Sequence, residues 1–339
     1  MRAHTVILGA GATMATIPDG DKHGRKSSVM NGLIEKLNMQ DLLANIELQT
    51  KSDNLEDIYA ELHSRPECRD IVIELEKRLY NYFAELELPD NPTIYDLLIL
   101  SLTDKDVIAT FNWDPLLIQA YVRCYTITSN LPHILCLHGN VGMGFCNEHT
   151  EFGAIDAECP ICGKTLPPTK LLYPVKEKDY TSDPYIKGCW DAVQYIIENS
   201  YSITIFGYSA PNSDIGAVKL LKTAWGDLKS RELEEVSVID IISEDEMLKK
   251  WKDFIYTHHY RYTNDFYNSY LGMFPRRSCE MIFGTYQLNI APDCNKGFRP
   301  GMTWKEVEDL LHDVLMEETD TPKGKNYPLH YVKKGFFDR

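Results

Sequence analysis

The sequence has no apolar run near the ~20 residues of a membrane-spanning helix, although the chain is 339 residues long. The apolar segment after Met1 is also too short for a signal peptide, and no cleavage site follows it. The nine cysteines are an odd number, so we expect buried or metal-bound thiols in place of disulfides. We therefore expect a cytoplasmic protein that does not bind membranes.

Positive charge is scarce. The chain has 35 Lys and Arg against 50 Asp and Glu, a net charge of −15, and no run of basic residues is longer than two. This balance argues against a nucleic-acid-binding protein, and we expect no direct binding of nucleic acid. Repeats and low-complexity segments are absent as well. The 44% hydrophobic and 25% charged residues are typical of a globular chain with a large core.

Short apolar runs that end in polar residues recur along the chain. Between them lie patterns with helical spacing, and such alternation is typical of an α/β fold. We predict a Rossmann-like parallel sheet with helices on both faces, in which ligands bind at the carboxyl ends of the strands. The predicted strands are 4–9, a run from Val107, 133–137, 170–175, 201–206 and 236–242.

One strand ends in Asn112, Trp113 and Asp114, followed by Pro115. Asp114 has two interpretations: it caps the helix that begins at Pro115, or it serves a ligand site. Asn112 is harder to explain as a structural residue, so we take it as the leading functional candidate. Phe111 and Trp113 fit packing around a pocket, but the sequence does not say what they select.

A second strand ends in His138-Gly139. A lone histidine is more often structural, but Gly139 permits a close approach and imidazole suits proton transfer near neutral pH. We therefore predict a catalytic role for His138.

Glycines follow two further strands. Gly9 and Gly11, within Gly9-Ala10-Gly11-Ala12-Thr13, allow close backbone approach and offer N–H groups to a phosphate. Met14 replaces the third glycine of a dinucleotide fingerprint, so an ordinary strand-to-helix turn stays possible.

The later Gly207-Tyr208-Ser209 turn lacks the second glycine of a nucleophile elbow, which argues against Ser209 as a hydrolase nucleophile. Asp240 near the end of the last predicted strand is either a ribose ligand or an exposed residue.

Cys146, His149, Cys159 and Cys162 form two Cys-x-x-(Cys/His) knuckles. This spacing predicts a zinc-ribbon module over 141–168, with four protein ligands and therefore a structural role for the zinc. The alternative is a metal-free loop.

Domain organisation follows from these patterns. We predict one domain over 1–320, in which 28–102 is a helical insertion, and a C-terminal tail over 321–339. The polar loop from Ile17 to Ser28 is a candidate mobile cover over the site. The segment 256–262 is aromatic and polar with little periodicity.

The order of these motifs resembles the sirtuin superfamily, and in particular the bacterial sirtuin-like NAD hydrolases of anti-phage defence. The motifs are 9–13, Ile17-Pro18-Asp19, Thr110-Phe111-Asn112-Trp113-Asp114, and His138-Gly139 followed by the zinc ribbon.

The resemblance implies that NAD is bound as a substrate. It assigns catalytic roles to Asn112, His138 and Asp114. It assigns cofactor contacts to Gly9, Ala10, Gly11, Ala12, Thr13, Asp19, Gly207, Tyr208 and Ser209, and Asp240 joins them as a ribose candidate.

The departures from the family favour water as the acceptor. Deacylase sirtuins follow Ile-Pro-Asp with Phe-Arg, whereas Gly20 and Asp21 stand here. In the family, the aromatic ring of that Phe helps to shield the nicotinamide pocket. This chain lacks the ring, so water should be able to enter the pocket. We therefore expect hydrolysis of NAD to nicotinamide and ADP-ribose.

Two alternatives stay open: an NAD-dependent protein deacylase or ADP-ribosyl transferase, and a non-catalytic NAD-sensing or ADP-ribose-sensing assembly module.

An always-active NAD hydrolase would kill its host, so the resemblance also implies an off state. We expect control by homo-oligomer assembly, a defence-system partner protein or a small activator. The helical insertion and the segment near His258 are candidate interfaces.

Overall fold

The computed structural model describes residues 3–27, 30–175, 178–320 and 329–333. Its central sheet has six strands in the order β3-β2-β1-β6-β7-β8, and all neighbouring pairs are parallel. β4 and β5 form a separate antiparallel hairpin. The strands are β1 (Ala3–Leu8), β2 (Val107–Thr110), β3 (His133–Cys136), β4 (Met143–Cys146), β5 (Glu151–Ala154), β6 (Ser200–Phe206), β7 (Glu235–Ile239) and β8 (Tyr260–Thr263).

Helices cover both faces of this sheet, which confirms the predicted Rossmann-like α/β class. The helices are α1 (Ala10–Thr16), α2 (Leu33–Lys36), α3 (Leu55–His63), α4 (Arg69–Ala84), α5 (Ile94–Leu100), α6 (Leu116–Cys124), α7 (Pro184–Asn199), α8 (Ile215–Trp225), α9 (Glu244–Trp251), α10 (Tyr270–Met273), α11 (Ser278–Leu288) and α12 (Trp304–Asp320).

The central strand β1 supplies apolar side chains to two cores. Val6 and Leu8 pack into the core on the side of α5 and α12, whereas Ile7 packs into the core beneath α7, α8 and α9. Successive residues of a strand point to opposite faces, so a strand covered on both faces is mostly apolar, and its buried polar residues, such as His4 and Thr5 of β1, bond other buried side chains. This requirement explains the short apolar runs in the sequence.

The segment 28–102 is helical over α2, α3, α4 and α5, with irregular chain between α2 and α3. Buried residues of α3 and α4, such as Leu62 and Leu79, belong to the same core as Val6 and Leu8 of β1. These helices and the central sheet therefore share one core.

Two parts of the predicted sheet differ from the structure. Residues 170–175 form no strand; instead the chain passes the end of β3, where Leu172 N donates to the His138 carbonyl (2.9 Å). Conversely, 260–263 forms β8, which the sequence did not indicate. β8 is a half-buried edge strand, so it does not require the continuous apolar run of a central strand.

Most of the predicted C-terminal tail, 321–328 and 334–339, lies outside the described residues. Within 329–333, Tyr331 is buried and its hydroxyl donates to the Pro275 carbonyl (2.9 Å). No helix among the described residues is long and apolar enough to cross a membrane.

A buried arginine network ties α12 to the sheet. Arg276 donates to both carboxylate oxygens of Glu318 (2.7 and 2.6 Å) and to the carbonyls of Leu102 and Asn130 (3.0 and 2.9 Å). Arg277 adds a further bond to Glu318 at 2.8 Å. The carboxylate therefore neutralises two guanidinium groups that are almost completely buried.

Glu318→Ala should lower the free energy of unfolding by about 3–5 kcal/mol, because it leaves the buried guanidinium group of Arg276 without an anion and leaves Arg277 only its longer contact to Glu317 (3.8 Å). Urea unfolding followed by circular dichroism measures this loss. The matched control is Glu308→Ala on the exposed face of the same helix, which should stay within about 0.5 kcal/mol of wild type. Equal losses in the two variants would contradict the assignment.

Candidate functional site

The carboxyl ends of β1, β2, β3 and β6 surround a cavity of about 320 Å³. This is the sheet edge at which the sequence predicts a ligand site. Six of the predicted site residues line the cavity: Gly9, Ala10, Asn112, His138, Tyr208 and Ser209.

The glycines of the two loops are required by contact between the loops themselves. Gly11 N donates to the Gly207 carbonyl (2.9 Å), and a Cβ on Gly11 would lie 2.8 Å from the Gly207 Cα. Gly207 has a φ of +59°, and a Cβ there would lie 2.3 Å from the Ala12 nitrogen. The glycines therefore let two backbones touch, and the Gly11 amide is already engaged. Gly9 and Ala10 are left at the cavity wall.

Asn112 holds the first loop in place. Its amide nitrogen donates to the Gly9 carbonyl (2.8 Å) and lies 3.0 Å from both Thr13 Oγ1 and Tyr95 Oη. Within the described ranges, its amide oxygen forms no hydrogen bond. Asn112 thus fixes the wall with one end of the amide and keeps an acceptor for a bound molecule.

Asp114 lies behind this wall, outside the described lining of the cavity. Its carboxylate accepts from Thr13 Oγ1 (2.8 Å) and from Leu116 N (3.2 Å), at the start of α6. Burial raises the Asp114 pKa to about 6, although these two bonds oppose the shift. The bond to Leu116 N agrees with the interpretation of Asp114 as a helix cap. Asp114 does not line the cavity, so its predicted catalytic role has no direct contact to support it.

His138 is buried at the end of β3, and its ring lies edge-on to Phe111 (4.8 Å between centroids). Burial lowers the His138 pKa to about 4; the Asp214 carboxylate opposes the shift and Lys178 adds to it. The imidazole is therefore neutral at pH 7. A neutral ring is the form that accepts a proton.

Phe111 and Trp113, unexplained by the sequence, have separate packing roles. Phe111 stacks on Tyr208 with centroids 4.2 Å apart and planes 5° from parallel, so it forms an aromatic wall beside His138. Trp113 packs edge-on against Phe83 of α4. Phe111 therefore shapes the cavity. Trp113 also lines the cavity and connects it to α4.

Sequence reasoning missed a buried ion pair in the cavity. Lys178 donates to the Asp214 carboxylate, and both side chains are almost fully buried. Glu56 of α3 also lines the cavity and accepts a bond from Ser213 Oγ (2.9 Å). Asp214 stands directly before α8 and Lys178 lies in a loop, and neither belongs to a motif that the sequence shows.

Two predicted cofactor residues lie away from the cavity. Asp19 is exposed after α1, and Asp240 accepts from the nearby Ile241 N (2.7 Å) beyond the end of β7; neither is among the described lining residues. Ala12 and Thr13 also lie behind the lining.

The loop after α1 is bonded to the chain before α5. The buried carboxylate of Asp21 accepts from the backbone N–H groups of His23 (2.9 Å), Arg25 (2.8 Å) and Glu87 (3.2 Å). Asp21, where deacylase sirtuins have arginine, therefore fastens this loop to the chain before α5.

The four predicted metal ligands come together around the β4–β5 hairpin. The ligand atoms of Cys146, His149, Cys159 and Cys162 all lie within 4.8 Å of one another. His149 Nδ1 is 3.5 Å from Cys146 Sγ and 3.7 Å from Cys159 Sγ. For zinc bonds of ~2.3 Å to sulfur and ~2.0 Å to nitrogen, tetrahedral donors lie ~3.5–3.8 Å apart, so this donor set fits zinc.

Comparisons with known proteins give structural similarities only. No protein-family model and no curated protein matches the chain. A Sir2 homologue in complex with NAD overlaps 83% of this chain and 89% of its own, with 12% identity and a TM-score of 0.42.

Two further structures have lower TM-scores. Sir2Tm bound to a propionylated peptide covers 85% of this chain and 93% of its own, with 12% identity and a TM-score of 0.37. A mutant Sir2 homologue with ADP-ribose covers 70% and 80%, with 14% identity and a TM-score of 0.36. Because these scores and identities are low, we base the proposed function on the cavity residues themselves.

Cys162→Ser should reduce the zinc bound per chain, measured by mass spectrometry of the purified protein, because it removes one of four ligands. It should also lower the melting temperature. Cys294→Ser, which changes an exposed cysteine, is the matched control and should keep wild-type zinc and stability. Wild-type zinc content in Cys162→Ser would refute the predicted ligand set.

Proposed function

We propose that this chain uses NAD as a substrate and hydrolyses the bond between nicotinamide and ribose. The observation that carries the proposal is the buried imidazole of His138 in a strand-end cavity beside Asn112 and the first glycine loop. The motif order that resembles sirtuins supports NAD as the molecule bound there.

The reaction breaks the bond from ribose C1′ to the nicotinamide nitrogen and forms a bond from C1′ to a water oxygen. Nicotinamide leaves as a neutral molecule, so the site needs no strong acid. His138 accepts the proton that the attacking water loses, directly or through a ribose hydroxyl, and later releases it to solvent. The products are nicotinamide, ADP-ribose and a proton.

The remaining wall residues bind and orient the substrate. The Asn112 amide oxygen accepts a bond from a ribose hydroxyl or from the water, while its nitrogen keeps the Gly9 loop in place. Gly9 and Ala10, at the start of α1, face the pyrophosphate. Asp114 acts at one remove, because its carboxylate holds Thr13, which in turn contacts Asn112.

Water is the proposed acceptor because Gly20 and Asp21 replace the Phe-Arg that follows Ile-Pro-Asp in deacylase sirtuins. Phe111 packs between Tyr208 and His138, in the position that glutamine takes in the sirtuin motif. The Cys146–Cys162 cluster would hold a structural zinc, which supplies no reactive group and stabilises the β4–β5 hairpin.

We further propose that the activity belongs to a regulated effector of anti-phage defence that depletes NAD. The support is the motif resemblance and the toxicity that uncontrolled NAD loss would have for a cell. Control would come from self-assembly, a partner protein or a small activator. The genes beside this one in its genome test the idea, because a defence effector should neighbour its sensor.

His138→Ala should reduce the rate of NAD hydrolysis by at least about 100-fold, since it removes the general base. Asn112→Ala should also lose activity, because the substrate contact and the loop anchor disappear together. The rate is measured by chromatography of nicotinamide and ADP-ribose after incubation of the activated protein with NAD. The control is His133→Ala, which changes an exposed histidine at the start of β3 and should keep the wild-type rate.

Three outcomes would count against the proposal. Wild-type rates in both variants would refute the site. NAD loss that requires an acetylated peptide would identify a deacylase. Calorimetric NAD binding without turnover, even with natural partners, would identify a sensing module.

A further inference from the structure

One ring nitrogen of His138 lies close to a carboxylate without bonding it. This nitrogen, Nε2, is buried and has no hydrogen-bond partner among the described residues. The nearest carboxylate oxygen, Oδ1 of Asp214, lies 3.7 Å away. A buried polar atom without a hydrogen-bond partner lowers the stability of the fold, so the distance between Nε2 and Oδ1 requires an explanation.

Asp214 is held rigidly in this position. Lys178 Nζ donates to Oδ1 and also to the Ser213 carbonyl (3.0 Å), and the Tyr208 hydroxyl donates to Oδ2 (3.0 Å). The side chains of Lys178 and Asp214 are 3% and 6% exposed. Because Lys178 and Tyr208 each hold one oxygen of the carboxylate, its distance from His138 is set by the fold.

This arrangement favours one form of the neutral ring. A carboxylate attracts an N–H group and repels a nitrogen lone pair. Nε2 therefore carries the proton and faces Asp214, which leaves the lone pair on Nδ1. Contacts of this kind are often long in an empty site and shorten when substrate binds.

We propose that Asp214 is the positioning residue of His138, and that Lys178 holds Asp214 for this task. Asp214 fixes the ring tautomer before reaction, and it stabilises the imidazolium once Nδ1 has taken a proton. This assignment rests on the proposed function for its catalytic meaning, whereas the tautomer itself is a property of the folded chain.

The groups around the ring act in opposite directions. The Asp214 carboxylate favours the protonated ring, while Lys178 and burial favour the neutral ring. Glu56 of α3 faces Asp214 through Ser213. On the remaining sides, the Tyr180 ring stacks on the imidazole (6.1 Å) and Phe111 meets it edge-on. Removal of the Asp214 carboxylate should therefore lower the His138 pKa, whereas removal of the Lys178 amine should raise it.

A purely structural ion pair makes a different prediction. If Lys178 and Asp214 only fasten the chain before α7 to the start of α8, their loss lowers stability without changing the ring. The tautomer and pKa of His138 therefore separate the two roles.

The experiment is an NMR titration of the full chain with isotope-labelled histidine, in which His138→Ala assigns the His138 signals. The wild type should show the proton on Nε2. Asp214→Asn should weaken that preference and lower the pKa. Lys178→Met should raise the pKa by about one unit or more, because it removes a nearby cation. Asp179→Asn, an exposed acid beside Lys178, should change neither.

His4 reports folding in the same spectra, because its buried ring bonds Ser278 and Thr204 away from the cavity. A wild-type tautomer in a folded Asp214→Asn chain would overturn the proposal, as would an unchanged pKa in a folded Lys178→Met chain. If a variant does not fold, Asp214→Glu and Lys178→Arg replace it, and each should keep the Nε2 proton.

An activity measurement links the ring to the reaction. Asp214→Asn should lower kcat for NAD hydrolysis more than it changes KM, and Lys178→Met should move the acidic limb of the pH profile upward. If the wild type hydrolyses no NAD, the proposed function fails, while the NMR result still decides the role of Asp214.

Discussion

The contact between the Gly9–Gly11 turn and Gly207 is the constraint on which the site depends. No side chain fits between these two backbones, because any Cβ there would overlap a neighbouring main-chain atom. The turns after β1 and β6 can therefore meet at the centre of the sheet. Their meeting places Tyr208 opposite Phe111, which closes the cavity around His138.

Burial then determines the chemistry of the site. A histidine in water would be partly protonated near neutral pH, whereas the aromatic enclosure keeps His138 neutral and able to accept a proton. The same enclosure strengthens the effect of the Lys178–Asp214 pair, since charges interact more strongly away from solvent. The burial of His138 among aromatic rings therefore accounts both for its neutral state and for its sensitivity to the Lys178–Asp214 pair.

The sequence predicts the parts of the site that local patterns encode. Strands buried on both faces show as apolar runs, so their polar ends identify Asn112 and His138. The four residues that could hold a metal ion, Cys146, His149, Cys159 and Cys162, are predictable from their fixed spacing. Asp214 and Lys178 are not predictable in this way, because only the fold brings the residue before α8 to a loop lysine 36 positions away.

Other differences have equally physical origins. β8 escapes prediction because an edge strand needs no apolar run. Asp19 and Asp240 were assigned by likeness to other folds, but the structure leaves Asp19 exposed and turns Asp240 towards its own loop. Asp21, noted only as a departure from the sirtuin motif, serves to anchor the loop after α1.

The most direct test of the central claim is a crystal structure of the chain soaked with ADP-ribose, the proposed product. The account predicts density in the strand-end cavity, with the pyrophosphate against Gly9 and Ala10 and the terminal ribose between Asn112 and His138. Specific binding elsewhere on the chain, or an empty cavity at saturating ADP-ribose, would contradict it.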